Sequence, residues 1–113
     1  MKTIIAGPRD FTDTNFVWRA IAKAPFNITE VVSGHATGVD AMGETYAIIS
    51  GIPVKRFPAD WKKYGKAAGP IRNNAMAEYA DALIAIDTGS RGTAHMIRAA
   101  RTAGLEVYTA RIK

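Results

Sequence analysis

Three times in this chain of 113 residues, a short apolar or β-branched run ends in glycines and gives way to a helical pattern. The runs are Thr3-Ile4-Ile5-Ala6 before Gly7, Ile28 to Val32 before Ser33-Gly34-His35-Ala36-Thr37-Gly38-Val39-Asp40, and Ala82 to Ile86 before Thr88-Gly89-Ser90-Arg91-Gly92-Thr93. Strands alternating with helices through short connections require right-handed crossovers, and the architecture that accommodates them is an α/β fold with a doubly wound parallel sheet. In such a sheet the glycine junctions all lie at the carboxyl ends of the strands, where open α/β sheets bind ligands. A glycine there lets the backbone approach a ligand closely, and the first N–H groups of the following helix have no intrahelical partner, so they can face an anion. A plain strand-to-helix turn would be spelled the same way, with Asp40 serving only as an acid in the first helical turn.

The remaining elements fit between the junctions. Thr12, Asp13 or Thr14 can cap a first helix carrying Phe16, Val17, Ala20 and Ile21 at helical spacing, which Pro25 closes. A second helix follows Asp40 with Val39, Met42, Tyr46 and Ile49 on one face and Gly51 as its C-cap. Ile52 to Phe57 reads as a third strand entered through Pro53. Residues 58–70 interrupt the alternation and read as a functional loop, in which Trp61 and Tyr64 stand among Lys62, Lys63 and Lys66. A third helix opens at Pro70 with Arg72, Asn73 and Asn74 in its first turn. Ala82 to Ile86 is the most continuous apolar run and fits a central strand buried on both faces. A last helix ends at Gly104, and Glu106 to Ile112 supplies a fifth strand.

Composition narrows the function classes. A hydrophobic content of 48% supports a real core in one domain, residues 1–113, and the absence of cysteine excludes disulfides and thiolate metal sites. No metal and no resident cofactor is expected. There is neither a secretory leader nor a membrane-length apolar segment, so a cytoplasmic location is expected, in a bacterium or, for a phage protein, in the host cell. The net charge of +5 favours an anionic partner, either a phosphorylated small molecule or nucleic acid. Lys55, Arg56, Lys62, Lys63 and Lys66 form one basic segment, and Arg91, Arg98, Arg101, Arg111 and Lys113 load the C-terminal part.

The residues that carry chemistry follow from this placement. Gly7, Gly34, Gly38, Gly89 and Gly92 would give backbone approach, and Ser33, Ser90 and Thr93 hydroxyl and N–H donors. Arg9, Arg72 and Arg91 would supply charge, with Arg9 and Arg72 converging on one anion at the sheet edge. Two guanidiniums so close would repel unless an anion, or an acid such as Asp10 or Asp40, lay between them. His35 and Asn73 complete the polar set, and Trp61 can stack on a base. Gly34→Val and Gly92→Val are expected to abolish binding without unfolding the chain. If the protein is an enzyme, Asp40, Asp87 and His95 are the acid–base candidates.

Taken together, Ile4-Ile5-Ala6-Gly7-x-Arg9-Asp10-Phe11, Ser33-Gly34-x3-Gly38-x-Asp40, Phe57-Pro58-Ala59-Asp60-Trp61, Gly65-Lys66-Ala67-Ala68-Gly69-Pro70-x-Arg72-Asn73 and Gly92-Thr93-x-His95-Met96-Ile97 resemble the YspA/YpsA-related family of the SLOG superfamily. The resemblance implies a Rossmann-like, mainly parallel five-stranded sheet flanked by helices that binds a phosphorylated nucleotide or nucleotide-derived ligand. Related branches include the cytokinin-activating LOG phosphoribohydrolases and the DNA-processing protein A family, which imply N-glycosidase activity and nucleic-acid binding as alternatives. LOG-like relatives make a homodimer the expected assembly. One departure bears on mechanism. The LOG pattern Gly-Gly-x-Gly-Thr-x-x-Glu aligns with Gly89-Ser90-Arg91-Gly92-Thr93-Ala94-His95-Met96, which places Met96 where the hydrolase glutamate stands. A thioether can neither give nor take the proton that this hydrolysis requires.

Overall fold

A computed structural model describes residues 1–112; Lys113 lies outside the described residues. Five parallel strands form one sheet in the order β3-β2-β1-β4-β5: β1 (Lys2–Ala6), β2 (Glu30–Ser33), β3 (Val54–Arg56), β4 (Ala82–Asp87) and β5 (Glu106–Arg111). The first strand is central. It pairs with β2 in the register Thr3↔Val31 and with β4 in the register Ile4↔Leu83. The chain therefore winds outward through β2 and β3, then crosses back to β4 on the other side of β1. This is the doubly wound arrangement expected from the alternation of strands and helices.

The side chains of β1 alternate between two apolar layers, as the pleat requires. Ile4 faces α4 (Ala68–Tyr79) and α5 (Arg91–Thr102) in a cluster with Met76, Leu83, Met96 and Ile97. Ile5 faces α1 (Thr14–Lys23) and α2 (Val39–Ser50) in a second cluster with Val17, Ile21, Val39 and Ile84. The first five residues of β4, Ala82 to Ile86, are completely buried, which is why its sequence shows no polar alternation.

Helix ends follow local chemistry. Asp13 caps α1 by accepting a hydrogen bond from the Phe16 amide at 3.0 Å, and Gly51 ends α2 in the left-handed region at φ 69°. The cap of α5 is Ala103, with Gly104 following at φ 81°.

Two segments differ from the sequence reading. The third strand is confined to Val54–Arg56, because Pro53 has no N–H to donate and the Ile52 amide closes onto the Ala47 carbonyl at 2.8 Å. Residues 58–70 are largely helical rather than an open loop. Asp60 caps a short helix α3 (Trp61–Tyr64), accepting from the Lys63 amide at 3.1 Å, a 3₁₀ turn covers Gly65–Ala67, and α4 starts at Ala68. Pro70 lies inside the first turn of α4, where its missing N–H costs no intrahelical bond.

Candidate functional site

At the carboxyl ends of β1 and β4, where the winding reverses, lies a cavity of about 730 Å³. Each element brings side chains to it for a local reason. The turn after β1 contributes Pro8, Arg9 and Asp10. The first turn of α2 contributes Asp40, and the loop before it Ala36. Trp61 on α3 closes one side, lying against Gly69, where an added Cβ would come within 3.3 Å of the indole. Arg72 and Asn73 enter from α4, and Ser90, Arg91, Gly92, Thr93, His95 and Arg98 from α5.

Arg9 and Arg72 do converge on this cavity. Arg72 is anchored by donating from Nη1 to the Gly34 carbonyl at 2.6 Å and from Nε to Asn73 Oδ1 at 3.0 Å. Its Nη2 makes no hydrogen bond among the described residues. Arg9 lies over the Trp61 ring, 5.8 Å from its centroid, a cation–π contact that orients both. Burial pulls the Arg72 pKa down, Asp40 pushes it back up, and Arg9 lowers it further.

Asp40 is the acid beside them. It is 7% exposed, and its Oδ2 accepts from the Ala36 amide at 3.2 Å. Burial raises its pKa to about 6, a rise reinforced by Glu44 and opposed by the Ala36 hydrogen bond and the charges of Arg72 and Arg9. On the far wall, Asn73 Nδ2 lies 3.2 Å from His95 Nδ1 and 3.4 Å from the Gly92 carbonyl. Burial, then Arg98, holds His95 below the usual histidine range, which favours its neutral ring. Ser90 caps α5, its Oγ accepting from the Thr93 amide and donating to the Thr93 hydroxyl at 2.8 Å.

Several residues proposed from the sequence are placed elsewhere. Gly7 reaches the cavity wall, yet its missing Cβ makes room for protein, since one would lie 2.7 Å from Val39 Cγ2. Gly34 likewise yields its space to Arg72 and Asp40. Gly38, at φ 72°, lets α2 meet the Pro8–Arg9 backbone: a Cβ would be 2.6 Å from the Arg9 carbonyl carbon. Neither Gly34 nor Gly38 lines the cavity. Gly89 is a turn glycine at φ 89°, also outside it. Asp87 accepts from the Gly89 amide at 3.0 Å and pairs with Arg111 at 3.4 Å, away from the cavity, which removes it from the acid–base candidates.

Ser33 and His35 serve a different centre, built on Glu44. Ser33 Oγ donates to Glu44 Oε2 at 2.7 Å, His35 Nδ1 contacts the same oxygen at 2.9 Å, and Arg56 Nε donates to Oε1 at 2.8 Å. Burial alone would raise the Glu44 pKa; these hydrogen bonds and the Arg56 charge outweigh it and hold the carboxyl below its ordinary value. The sequence reading missed Glu44, and nothing in the one-dimensional pattern sets it apart from a surface acid. Arg98 was recognisable: Arg91, His95 and Arg98 recur at i, i+4 and i+7, one face of a helix. Of the basic segment 55–66, none of the lysines lines the cavity; Lys55 lies over Phe57 and Tyr79, and Lys63 over Tyr64.

The fold and motifs agree with known proteins. The profile of the YspA, cpYpsA-related SLOG family matches residues 1–64. The Gene 61 protein of Mycobacterium phage D29 is 34% identical over 119 residues, spanning 94% of this chain and 93% of that protein. The X-ray structure of DNA processing protein A (DprA) from Streptococcus pneumoniae superposes with a TM-score of 0.77 at 18% identity, covering 96% of this chain. This chain spans about half, 49%, of the DprA chain, and the likeness is one of fold. With the profile matching more than half of its length and a phage relative aligned nearly end to end, the chain belongs to the YspA, cpYpsA-related SLOG family.

Proposed function

We propose that the cavity binds a phosphorylated nucleotide or nucleotide-derived small molecule. The observation that carries this reading is the presence of Arg9 and Arg72, far apart in sequence, on one cavity walled by the half-exposed Trp61. A phosphate would take the Nη2 of Arg72 and the guanidinium of Arg9, and the indole offers a face to a base. Arg91 and Arg98 add positive charge along the α5 wall, and the volume of about 730 Å³ accommodates a mononucleotide-sized ligand. Calorimetric titration against mono-, di- and cyclic nucleotides tests the proposal. Failure of the folded protein to bind any of them overturns it.

A second reading, hydrolysis of the N-glycosidic bond of a nucleoside phosphate, is favoured by one feature. Asp40, with a pKa of about 6, is an acid–base group poised near neutrality inside the cavity, and His95 shares the space. Release of free base from nucleoside monophosphates, lost in Asp40→Asn or His95→Ala, would support it. Intact nucleotides after prolonged incubation would leave binding alone.

A further inference from the structure

The floor of the cavity presents an acid to an occupant that the preceding reading takes to be an anion, and this inference rests on that reading. Asp40 is more than nine-tenths buried, and Oδ2 is occupied by the Ala36 amide. Oδ1 receives no hydrogen bond from the protein, and among the described residues no fully buried side-chain oxygen lacks a partner, so Oδ1 opens onto the cavity that Asp40 lines. The groups facing this carboxyl are Arg72 from α4, Arg9 from the turn after β1, Glu44 from the next turn of α2, and the Ala36 amide. Asp10, His95, Arg91 and Arg98 share the cavity more widely.

Arg72 and Asp40 approach one another without pairing. Arg72 Nη1 and Asp40 Oδ2 lie 2.6 and 2.7 Å from the position that a Cβ on Gly34 would take. Nevertheless the ion pairs of the described residues are His35–Glu44, Arg56–Glu44 and Arg111–Asp87, with none between these two. Arg72 commits Nη1 to the Gly34 carbonyl and Nε to Asn73 while lining the cavity. An anion docking on Arg72 and Arg9 would draw off the positive charge that keeps Asp40 ionised, and would bring oxygens that can only accept hydrogen bonds up to an oxygen that, as carboxylate, can only accept as well. One of the two must carry a proton.

We propose that Asp40 enters the anion site as a hydrogen-bond donor: when a tetrahedral oxyanion docks on Arg9 and Arg72, Asp40 takes one proton from solvent onto Oδ1 and donates it to an oxygen of that anion. No covalent bond changes apart from the new O–H. Burial has already prepared the step, because a carboxyl with a pKa of about 6 carries its proton about one tenth of the time at pH 7. The site then accepts a phosphate- or sulfate-like group at this point without setting two acceptor-only oxygens against each other.

The test follows the Asp40 side-chain carboxyl carbon by NMR in the full chain across pH 5–8.5, in chloride, in sulfate at matched ionic strength, and with adenosine 5′-monophosphate. Sulfate remains a dianion over this range, so a proton taken up in its presence belongs to the protein. The expected result is an upward move of the Asp40 midpoint by about one pH unit or more in sulfate, and sulfate affinity falling by about tenfold or more in all as pH passes from below the free midpoint to above the raised one. In Asp40→Asn, whose amide donates at every pH, the whole fall should shrink below about twofold. An Asp40 midpoint that stays put or drops while sulfate or the nucleotide binds overturns the inference and leaves the nucleotide reading intact. A midpoint raised by sulfate in a protein that binds no nucleotide supports the inference and removes that reading. Binding of neither sulfate nor any mono-, di- or cyclic nucleotide by the folded protein overturns both.

Discussion

Two glycine-marked junctions with nearly the same spelling do different work in this protein. In Ser33–Asp40 every close approach is made by the protein to itself: Arg72 and Asp40 fill the space beside Gly34, and the Pro8–Arg9 backbone fills that beside Gly38. Around Gly89 and Gly92, chain neighbours and the local helix backbone aside, no atom of the described residues lies within 4 Å of the place a Cβ would take. The first junction is a joint that clamps α2 and α4 to the turn after β1. The second leaves the space beside its glycines unfilled, and Gly92 lines the cavity. A glycine motif thus marks where something comes close, and only the tertiary structure tells whether that something is protein or ligand.

The largest effect that would break this contrast belongs to Gly38. Its φ of 72° with ψ of −127° suits glycine alone, and any side chain strikes the Arg9 carbonyl, so Gly38→Val should cost more than about 3 kcal/mol in urea unfolding. Near-wild-type stability would mean that the joint can reopen.

Next comes Asp40→Asn. Raising a carboxyl from 3.8 to about 6 makes the folded state bind the proton more tightly than the unfolded chain, so wild-type stability falls as pH rises from about 4 through 6. By pH 7 the deficit reaches on the order of 3 kcal/mol, which the neutral amide should largely recover, with no gain at pH 4. Equal stabilities of the two proteins at pH 7 would show that Asp40 is not strained by its burial.

Arg72→Leu and Arg9→Leu sharpen the comparison from the ligand side. Each should weaken binding of a phosphorylated nucleotide by about 1.5–3 kcal/mol and barely affect its dephosphorylated form, as measured by calorimetry. Equal losses for both forms would place the guanidiniums away from the phosphate.

The smallest effect is at Gly92. With open space around it, Gly92→Ala should change stability by no more than about 1 kcal/mol, most plainly as a gain in helix propensity. Any loss of nucleotide affinity in Gly92→Val would then report a ligand passing there, whereas Gly34→Val should lose affinity by displacing Arg72 and Asp40.

The sheet was legible because its signals are local. A five-residue apolar run bounded by turn signals fits a strand buried on both faces, and Asp13 and Gly51 announce their helix ends by their own backbone chemistry. The convergence of Arg9 and Arg72 was legible too, since topology sends the end of β1 and the start of α4 to one edge. What escaped were the side-chain partnerships and caps that depend on how particular elements meet. Glu44 becomes the centre of a hydrogen-bonded clasp only once β2 and β3 deliver Ser33, His35 and Arg56 to it. Residues 58–70, rich in lysine, glycine and proline, read as loop because the Asp60 cap and the position of Pro70 within a first turn become evident only with the backbone in place.

The central position of β1 has a consequence for how the chain comes to be folded. The strand made first is hydrogen-bonded on one side to residues 30–32 and on the other to residues 82–85. On a ribosome, the β1–β2–β3 half can assemble early, but one edge of β1 must wait, with its backbone unpaired, until β4 has emerged. Parallel pairing across so long a loop is slow to form, so the interval before β4 docks is the period in which a nascent chain is most exposed to pairing with another copy of itself.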